Sequence, residues 1–213
     1  MPADLVIIGA GGLAREMIWL ARDCPQDWTI RAVLDDDPTL TGAIVDGVPV
    51  LGTTADAADH VDAFFHIAIG APRVRRAVER RLGGVRQWAT MRHPSAVVAG
   101  DASIGEGSLI GVGAIVSSAA RIGRHVVVNM GAIVAHDADL RDFATLAPGV
   151  VIPGAVVVGA GAEIALGASM RQGTRIGDGA LVGMNATVTR DVAAGAVVVG
   201  SPATEIRRLS PFE

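Results

Sequence analysis

Apolar residues recur through the second half of this chain with a period of six. From Val98 the series runs through Ile104, Ile110, Val116, Ile122, Val128, Val134 and Leu140. It continues with Leu146, Ile152, Val158, Ile164, Met170, Ile176, Val182 and Val188, sixteen aliphatic positions without an insertion. Two residues before each stands a small or slim residue (Ala96, Ala102, Ser108, Ala114, Ala120), and glycine often follows, as at Gly105, Gly111, Gly123, Gly159, Gly177 and Gly183. Six is the period of neither a helix nor a single strand, so the segment reads as a stacked repeat. Each hexapeptide predicts one short strand and one turn, and three of them close a triangular coil of about 18 residues. The aliphatic side chain points inward and stacks on its equivalents, and glycine accepts the positive φ that some turns need. With successive coils joined by backbone bonds about 4.8 Å apart, the repeat makes a prism a little over five coils and about 25 Å long.

Before residue 93 the rhythm is different. Leu5-Val6-Ile7-Ile8 is a short apolar strand that runs into Gly9-Ala10-Gly11-Gly12, and a helical pattern then carries Met17, Ile18, Leu20 and Ala21. Ile30–Leu34 predicts a second strand ending in Asp35-Asp36-Asp37, and Phe64–Ile69 a third closed by Gly70. Pro72 opens an arginine-rich helix to about Leu82, and 85–89 is a candidate fourth strand. Strands alternating with helices imply a small parallel α/β sheet. Pro94 disfavours helix before it, so the expected division is an α/β domain over 1–92 and a β-helix over 93–213. Val197–Ala203 supplies a last strand and turn as a cap, because an open β-helix end exposes unpaired edges.

Composition narrows the function classes. The chain of 213 residues is 50% hydrophobic and only 19% charged. No apolar run approaches the roughly 18 residues that span a bilayer, and no secretory leader pattern is visible, so a soluble, cytoplasmic protein without membrane contact is expected. Cys24 is the only cysteine, which leaves no disulfide framework and no cysteine-based zinc site. Net charge is −4, tyrosine is absent, and four Phe and three Trp offer few stacking platforms, which argues against a nucleic-acid partner. All 18 basic residues are arginine, a compositional bias.

Two motifs carry candidate chemistry. Gly9-x-Gly11-x-x-Ala14 follows a strand and opens a helix, with Asp35 ending the next strand, as in a dinucleotide fingerprint. Such glycines let backbone N–H groups approach a phosphate at a helix N-terminus. About 92 residues make only half of a dinucleotide fold, so a nucleotide sugar fits better than NAD; a glycine turn without a ligand is the plain alternative. The second motif is His136-Asp137, two residues past the inward Val134 and so at or near a corner. Imidazole, with an ordinary pKa of about 6.5, can accept a proton from an amine or hydroxyl at neutral pH. A solvated corner histidine is the alternative. His125 and His136 are the only histidines in the repeat, and no three-ligand metal site can be assembled from them, so no metal is expected.

These residues together resemble the sugar O- and N-acetyltransferases of the hexapeptide-repeat superfamily. The closest group includes the sialic-acid O-acetyltransferases and the UDP-4-amino-sugar (bacillosamine-type) N-acetyltransferases. The resemblance spans the chain and rests on Leu5–Arg15, Leu34-Asp35-Asp36, Ala68-Ile69-Gly70, His93-Pro94-Ser95-Ala96, Gly131–Asp137 and Val198–Ala203. It implies a Rossmann-like N-terminal domain followed by a left-handed parallel β-helix, assembled as a homotrimer with active sites between subunits. Acetyl-CoA would be the cosubstrate and a nucleotide sugar or related small molecule the acceptor. By this resemblance His136 is the general base and Asp137 raises its basicity. Gly11, Gly12 and Leu13 match the phosphate loop, Asp35 and Asp36 the base-recognition pair, and Gly70 the end of the third strand. Thr145, Leu166 and Met184 match the CoA groove by repeat register.

Two positions depart from the family. Leu13 stands where the family loop often has histidine, and Thr145 where a second histidine often lies near the thioester. Transfer to a small non-sugar acceptor, or from a longer acyl-CoA, is therefore a second enzyme reading. A non-catalytic trimeric nucleotide-sugar-binding scaffold is the reading from another class.

Overall fold

The computed structural model describes residues 1–83 and 87–213. It divides into two compact units, Met1–Pro94 and Ser95–Glu213.

In the N-terminal unit, β1 (Ala3–Ile8) leads into α1 (Gly12–Asp23), β2 (Trp28–Leu34), β3 (Ile44–Val45) and β4 (Val48–Gly52). Then follow β5 (Phe64–Ile67), α2 (Pro72–Leu82) and β6 (Gln87–Trp88). The sheet order is β3-β4-β2-β1-β5-β6. It is parallel except for the β3–β4 pair, so the order reverses between β1 and β5 as in a Rossmann-like fold. β1 is central and its Leu5–Ile8 run is buried on both faces, which explains a continuous apolar stretch in place of an alternating one.

Three details differ from the sequence reading. The expected third strand stops at Ile67 and not Ile69: Ala68 still donates to the Ile8 carbonyl at 2.8 Å, but the Ile69 and Gly70 carbonyls turn to accept from Arg75. The expected strand over 85–89 is Gln87–Trp88, and residues 84–86, Val85 among them, lie outside the described residues. A hairpin not anticipated, β3–β4, turns on Asp46-Gly47, both with positive φ of 44° and 78°, the backbone a two-residue hairpin turn requires.

The C-terminal unit is the left-handed parallel β-helix. All sixteen aliphatic positions fall second in a two-residue strand, and strands 18 residues apart pair in register, as in Ile115↔Ile133 and Val116↔Val134. The first face of the prism carries Val97–Val98, Ile115–Val116, Ile133–Val134 and Val151–Ile152, and the second carries Ser103–Ile104 through Arg175–Ile176. The third carries Leu109–Ile110 through Leu181–Val182, and then the Ala196–Val199 cap strand. Thr204–Arg208, expected only as a tail, pairs antiparallel with the cap strand. The inward side chains and their small neighbours form one continuous core. Beside it the buried Ser108 hydroxyl donates to the Gly123 carbonyl at 2.8 Å and accepts from Val126 N–H at 2.9 Å.

At nearly every corner of the coils one residue lies in the left-handed region. After the third face the positions are Gly113, Gly131, Gly149, Gly167 and Asn185, and after the first face they are Ala119, Asp137, Ala155 and Gly173. The fold imposes this conformation on whatever residue stands there, so glycine is common but not obligatory. Among the described residues no helix is long and apolar enough to cross a membrane.

Candidate active site

His136 and Asp137 form the corner after the first face. The backbone is held by its neighbours one coil away on either side: Asp137 N–H donates to the Ser118 carbonyl at 3.1 Å, and Ala155 N–H to the His136 carbonyl at 2.9 Å. Asp137 has φ of 59°, a conformation Asp tolerates better than most residues. The same turn conformation at Ala119 and Ala155 shows it to be a property of the repeat. What is particular here is the side-chain pair. His136 Nδ1 lies 2.8 Å from an Asp137 carboxylate oxygen, and an Nδ1–H donated to that oxygen leaves the Nε2 lone pair able to accept a proton. The two side chains are 58% and 63% exposed, so the site is open in a single chain.

One neighbour escaped the sequence reading. Gly154 lies one coil on from His136, and a Cβ built there would come within 2.6 Å of the imidazole Cε1 and Nε2 atoms. The ring lies over this glycine, whose φ is outside the left-handed region. The signal was its position 18 residues after His136.

The other expected residues of the β-helix lie elsewhere on the prism. Leu166 and Met184, 18 residues apart and 49% and 69% exposed, stand together at the corner between the third and first faces. Thr145 lies on the third face, 8% exposed, between Val127 and Glu163. One chain therefore does not gather these three around His136.

The N-terminal unit holds a concavity of about 690 Å³ at the carboxyl ends of β2, β1 and β5. This is the switch point where open α/β sheets bind ligands. Ile8, Ile69, Val74, Ala77 and Val78 make an apolar wall, and Asp35, Asp36, Thr54, Arg73 and Arg81 supply polar groups. Asp35 is largely committed to backbone: its carboxylate accepts from Ala10 N–H at 2.7 Å and Asp37 N–H at 2.9 Å, bracing the glycine loop. Asp36 accepts from Thr54 N–H at 3.0 Å and its hydroxyl at 2.6 Å, and pairs with Arg81. Partial burial works to raise the Asp36 carboxyl, but these hydrogen bonds outweigh it and hold the group below its ordinary range. Both expected carboxylates thus line the cavity, Asp35 with its oxygens held by the loop and Asp36 tied to Thr54 and Arg81; Thr54, Arg73 and Arg81 are three lining residues the motif reading did not reach.

Gly11 caps α1 with no side-chain hydrogen bond, and Leu13 is half-buried in its first turn. A Cβ at Gly11, Gly12 or Gly70 would meet nothing within 4 Å. Packing therefore does not require glycine at these three positions, and neither they nor Leu13 are among the residues that line the cavity. Among the described residues no three His, Cys, Asp or Glu side chains converge as metal ligands.

Residues 4–82 match the PglD N-terminal domain family. The GDP-perosamine N-acetyltransferase of Escherichia coli O157:H7 is 36% identical over 156 residues, covering 70% of this chain and 69% of the relative. A histidine-to-alanine variant of GDP-perosamine N-acetyltransferase from Caulobacter crescentus, solved with CoA and GDP-perosamine, superposes with a TM-score of 0.89. It is 32% identical, with 95% of this chain and 96% of that one covered. The acetyltransferase domain of PglB from Neisseria gonorrhoeae FA1090, solved with acetyl coenzyme A, gives 0.90 at 31% identity, covering 97% and 100%. With the Rossmann-like unit, the hexapeptide β-helix and the histidine–carboxylate corner all present, the chain belongs to the sugar N-acetyltransferases of the hexapeptide-repeat family.

Proposed function

We propose that this enzyme transfers acetyl from acetyl-CoA to the amine of a nucleotide-linked sugar, with His136 as general base. The observation that carries the assignment is the 2.8 Å contact between His136 Nδ1 and Asp137, which leaves Nε2 free on an exposed corner. Nε2 takes a proton from the acceptor amine as the nitrogen attacks the thioester carbonyl. A backbone N–H stabilises the oxyanion that develops there. The C–N bond forms, the C–S bond breaks, and the imidazolium returns the proton to the departing CoA sulfur. Asp137 fixes the tautomer and stabilises the imidazolium, and no acyl-enzyme is required.

The nucleotide half of the acceptor occupies the switch-point cavity of the N-terminal unit. Gly11, Gly12 and Gly70 offer bare backbone to the diphosphate, with Leu13 beside them. Asp36 meets the nucleoside, while Asp35 holds the loop in shape. The relatives named for GDP-perosamine, and the Caulobacter complex with CoA and GDP-perosamine, support both the nucleotide-sugar class and the amine. The chain acts as a homotrimer. Its first face is flanked by His136 at one edge and by Leu166 and Met184 at the other, so packing between copies is what brings an acetyl-CoA groove, with Thr145 further along it, to the base. Use of acetyl-CoA fits a cytoplasmic enzyme.

The test is thiol release from acetyl-CoA across UDP-, GDP-, dTDP- and CMP-linked sugars, each with a free amine or with a hydroxyl in its place. Release is expected with an amino sugar only, and His136→Ala should lower kcat on the order of 10²–10⁴-fold. Equal rates with the hydroxyl sugar would overturn the amine assignment, and wild-type turnover by His136→Ala would remove His136 from the mechanism.

A further inference from the structure

Arg75 heads the large side chains that the chain buries completely, at 1% exposure. A guanidinium removed from water is costly unless its donors are met, and here Nη1 donates to two carbonyls at once, Ile69 at 2.7 Å and Gly70 at 2.9 Å. These are consecutive residues of the turn joining β5 to α2. In a trans peptide the C=O and the following N–H point in opposite directions. Drawing both carbonyls onto Arg75 therefore turns the Gly70 and Ala71 N–H groups away from it. The turn also touches the glycine loop: a Cβ at Gly9 would lie 3.0 Å from the Ile69 side chain and 3.2 Å from the Ala68 carbonyl.

Gly9 and Ile69 both line the switch-point cavity, and so do Arg73, Val74, Ala77, Val78 and Arg81 on α2. Arg75 does not. It is buried and tied to the turn that gives Ile69 to the wall. We propose that Arg75 is a positioning residue for the nucleotide sugar: acting through the Ile69 and Gly70 carbonyls, it sets the β5–α2 turn in the shape that the bound nucleotide meets. The inference rests on reading the cavity as the nucleotide site. It assigns no contact between Arg75 and the ligand.

Arg75→Lys and Arg75→Met are compared with Val74→Glu, which puts a charge on the exposed part of the cavity wall. UDP and GDP binding is followed by calorimetry, together with acetyl-CoA affinity and the separate KM values in turnover. Val74→Glu should abolish nucleotide binding. Arg75→Lys should raise the nucleotide-sugar KM on the order of tenfold and Arg75→Met further, with kcat within about twofold and acetyl-CoA affinity unchanged, the loss expected for a charged hydrogen bond. If Val74→Glu abolishes binding while both Arg75 variants bind nucleotide like the wild type, the positioning role is wrong and the cavity assignment stands. If Val74→Glu binds normally, the cavity assignment fails and takes this inference with it. Equal losses for nucleotide and acetyl-CoA would make Arg75 a general fold residue and overturn the proposal. Should Arg75→Met not fold, Arg75→Lys alone decides.

Discussion

At Gly154 the proposed role of His136 can be tested apart from folding. Its backbone does not need glycine, since its φ lies outside the left-handed region, yet a Cβ would stand 2.6 Å from the His136 ring. The ring is the exposed end of a rotatable side chain, so it is the ring that yields. Gly154→Ala should therefore leave the fold intact, or stabilise it by about 0.4–1 kcal/mol through lost unfolded-chain freedom. The displaced imidazole should cost kcat on the order of 10²-fold. Thermal unfolding and steady-state kinetics on the same preparation test this together. Full activity in Gly154→Ala would mean that the base works from another rotamer, and a large drop in Tm would mean that the glycine serves the coil.

β5 carries a different kind of constraint. His66, in the middle of this strand, is 1% exposed, and its Nδ1–H donates to the Ala89 carbonyl at 3.0 Å. Burial pushes its pKa down from 6.5 to about 4; the positive charge of Arg75 acts in the same direction, and the bond to Ala89 acts against both. The folded state thus binds a proton less readily than the unfolded chain. The stability held at pH 7 is lost progressively as pH falls from about 6.5 towards 4, by roughly 3 kcal/mol in all. All three tryptophans, Trp19, Trp28 and Trp88, lie in the N-terminal unit, so their fluorescence follows that unit alone during urea unfolding. Between pH 7.5 and 5 the wild type should lose about 2 kcal/mol more than His66→Gln, which keeps a donor for Ala89. Parallel pH curves would refute the assignment. The same elements show what the sequence discloses. The sixteen β-helix strands were legible because one residue in six has no choice but to face the core. β1, β2 and α2 were legible from apolar runs and Pro72. The β3–β4 hairpin was marked only by Asp46-Gly47, a dipeptide inside a loop-like stretch. His136 and Asp137 could be read because they are adjacent in the chain. Thr54, Arg73 and Arg81 could not, because what joins them to the cavity is the β4 end and one helix face, and Gly154 was marked only by its register of 18 residues from His136.

The prism as a whole has three unlike faces. The outward residues of the second face include Ser103, Arg121, Asp139 and Arg175, with Arg121 and Asp139 3.7 Å apart, as suits a face in water. On the third, Leu109, Val127 and Thr145 are buried within the chain. The first face presents Val97, Ile115 and Val151 at 62%, 38% and 48% exposure, stacked at 18-residue intervals with the half-buried Ile133 between the last two. A continuous apolar stripe left open on one face marks an association surface. The proposed occupant is a second copy of the same prism. Each copy has one such stripe edged by two unlike corners, so a head-to-tail arrangement about a three-fold axis closes without an unpaired stripe. In the proposed arrangement the His136 corner of one copy would lie beside the Leu166–Met184 corner of the next, the conjunction that a single chain lacks. The double variant Ile115→Glu, Val151→Glu should run as a monomer of 21.7 kDa in sedimentation equilibrium, while the wild type runs as a trimer. Its far-UV circular dichroism should be retained, because neither side chain faces the core. Nucleotide binding by the N-terminal unit should persist, and acetyl transfer should fall on the order of 10²-fold or more as the groove comes apart. A monomeric wild type, or a monomeric variant with full turnover, would show that one chain completes the site by itself.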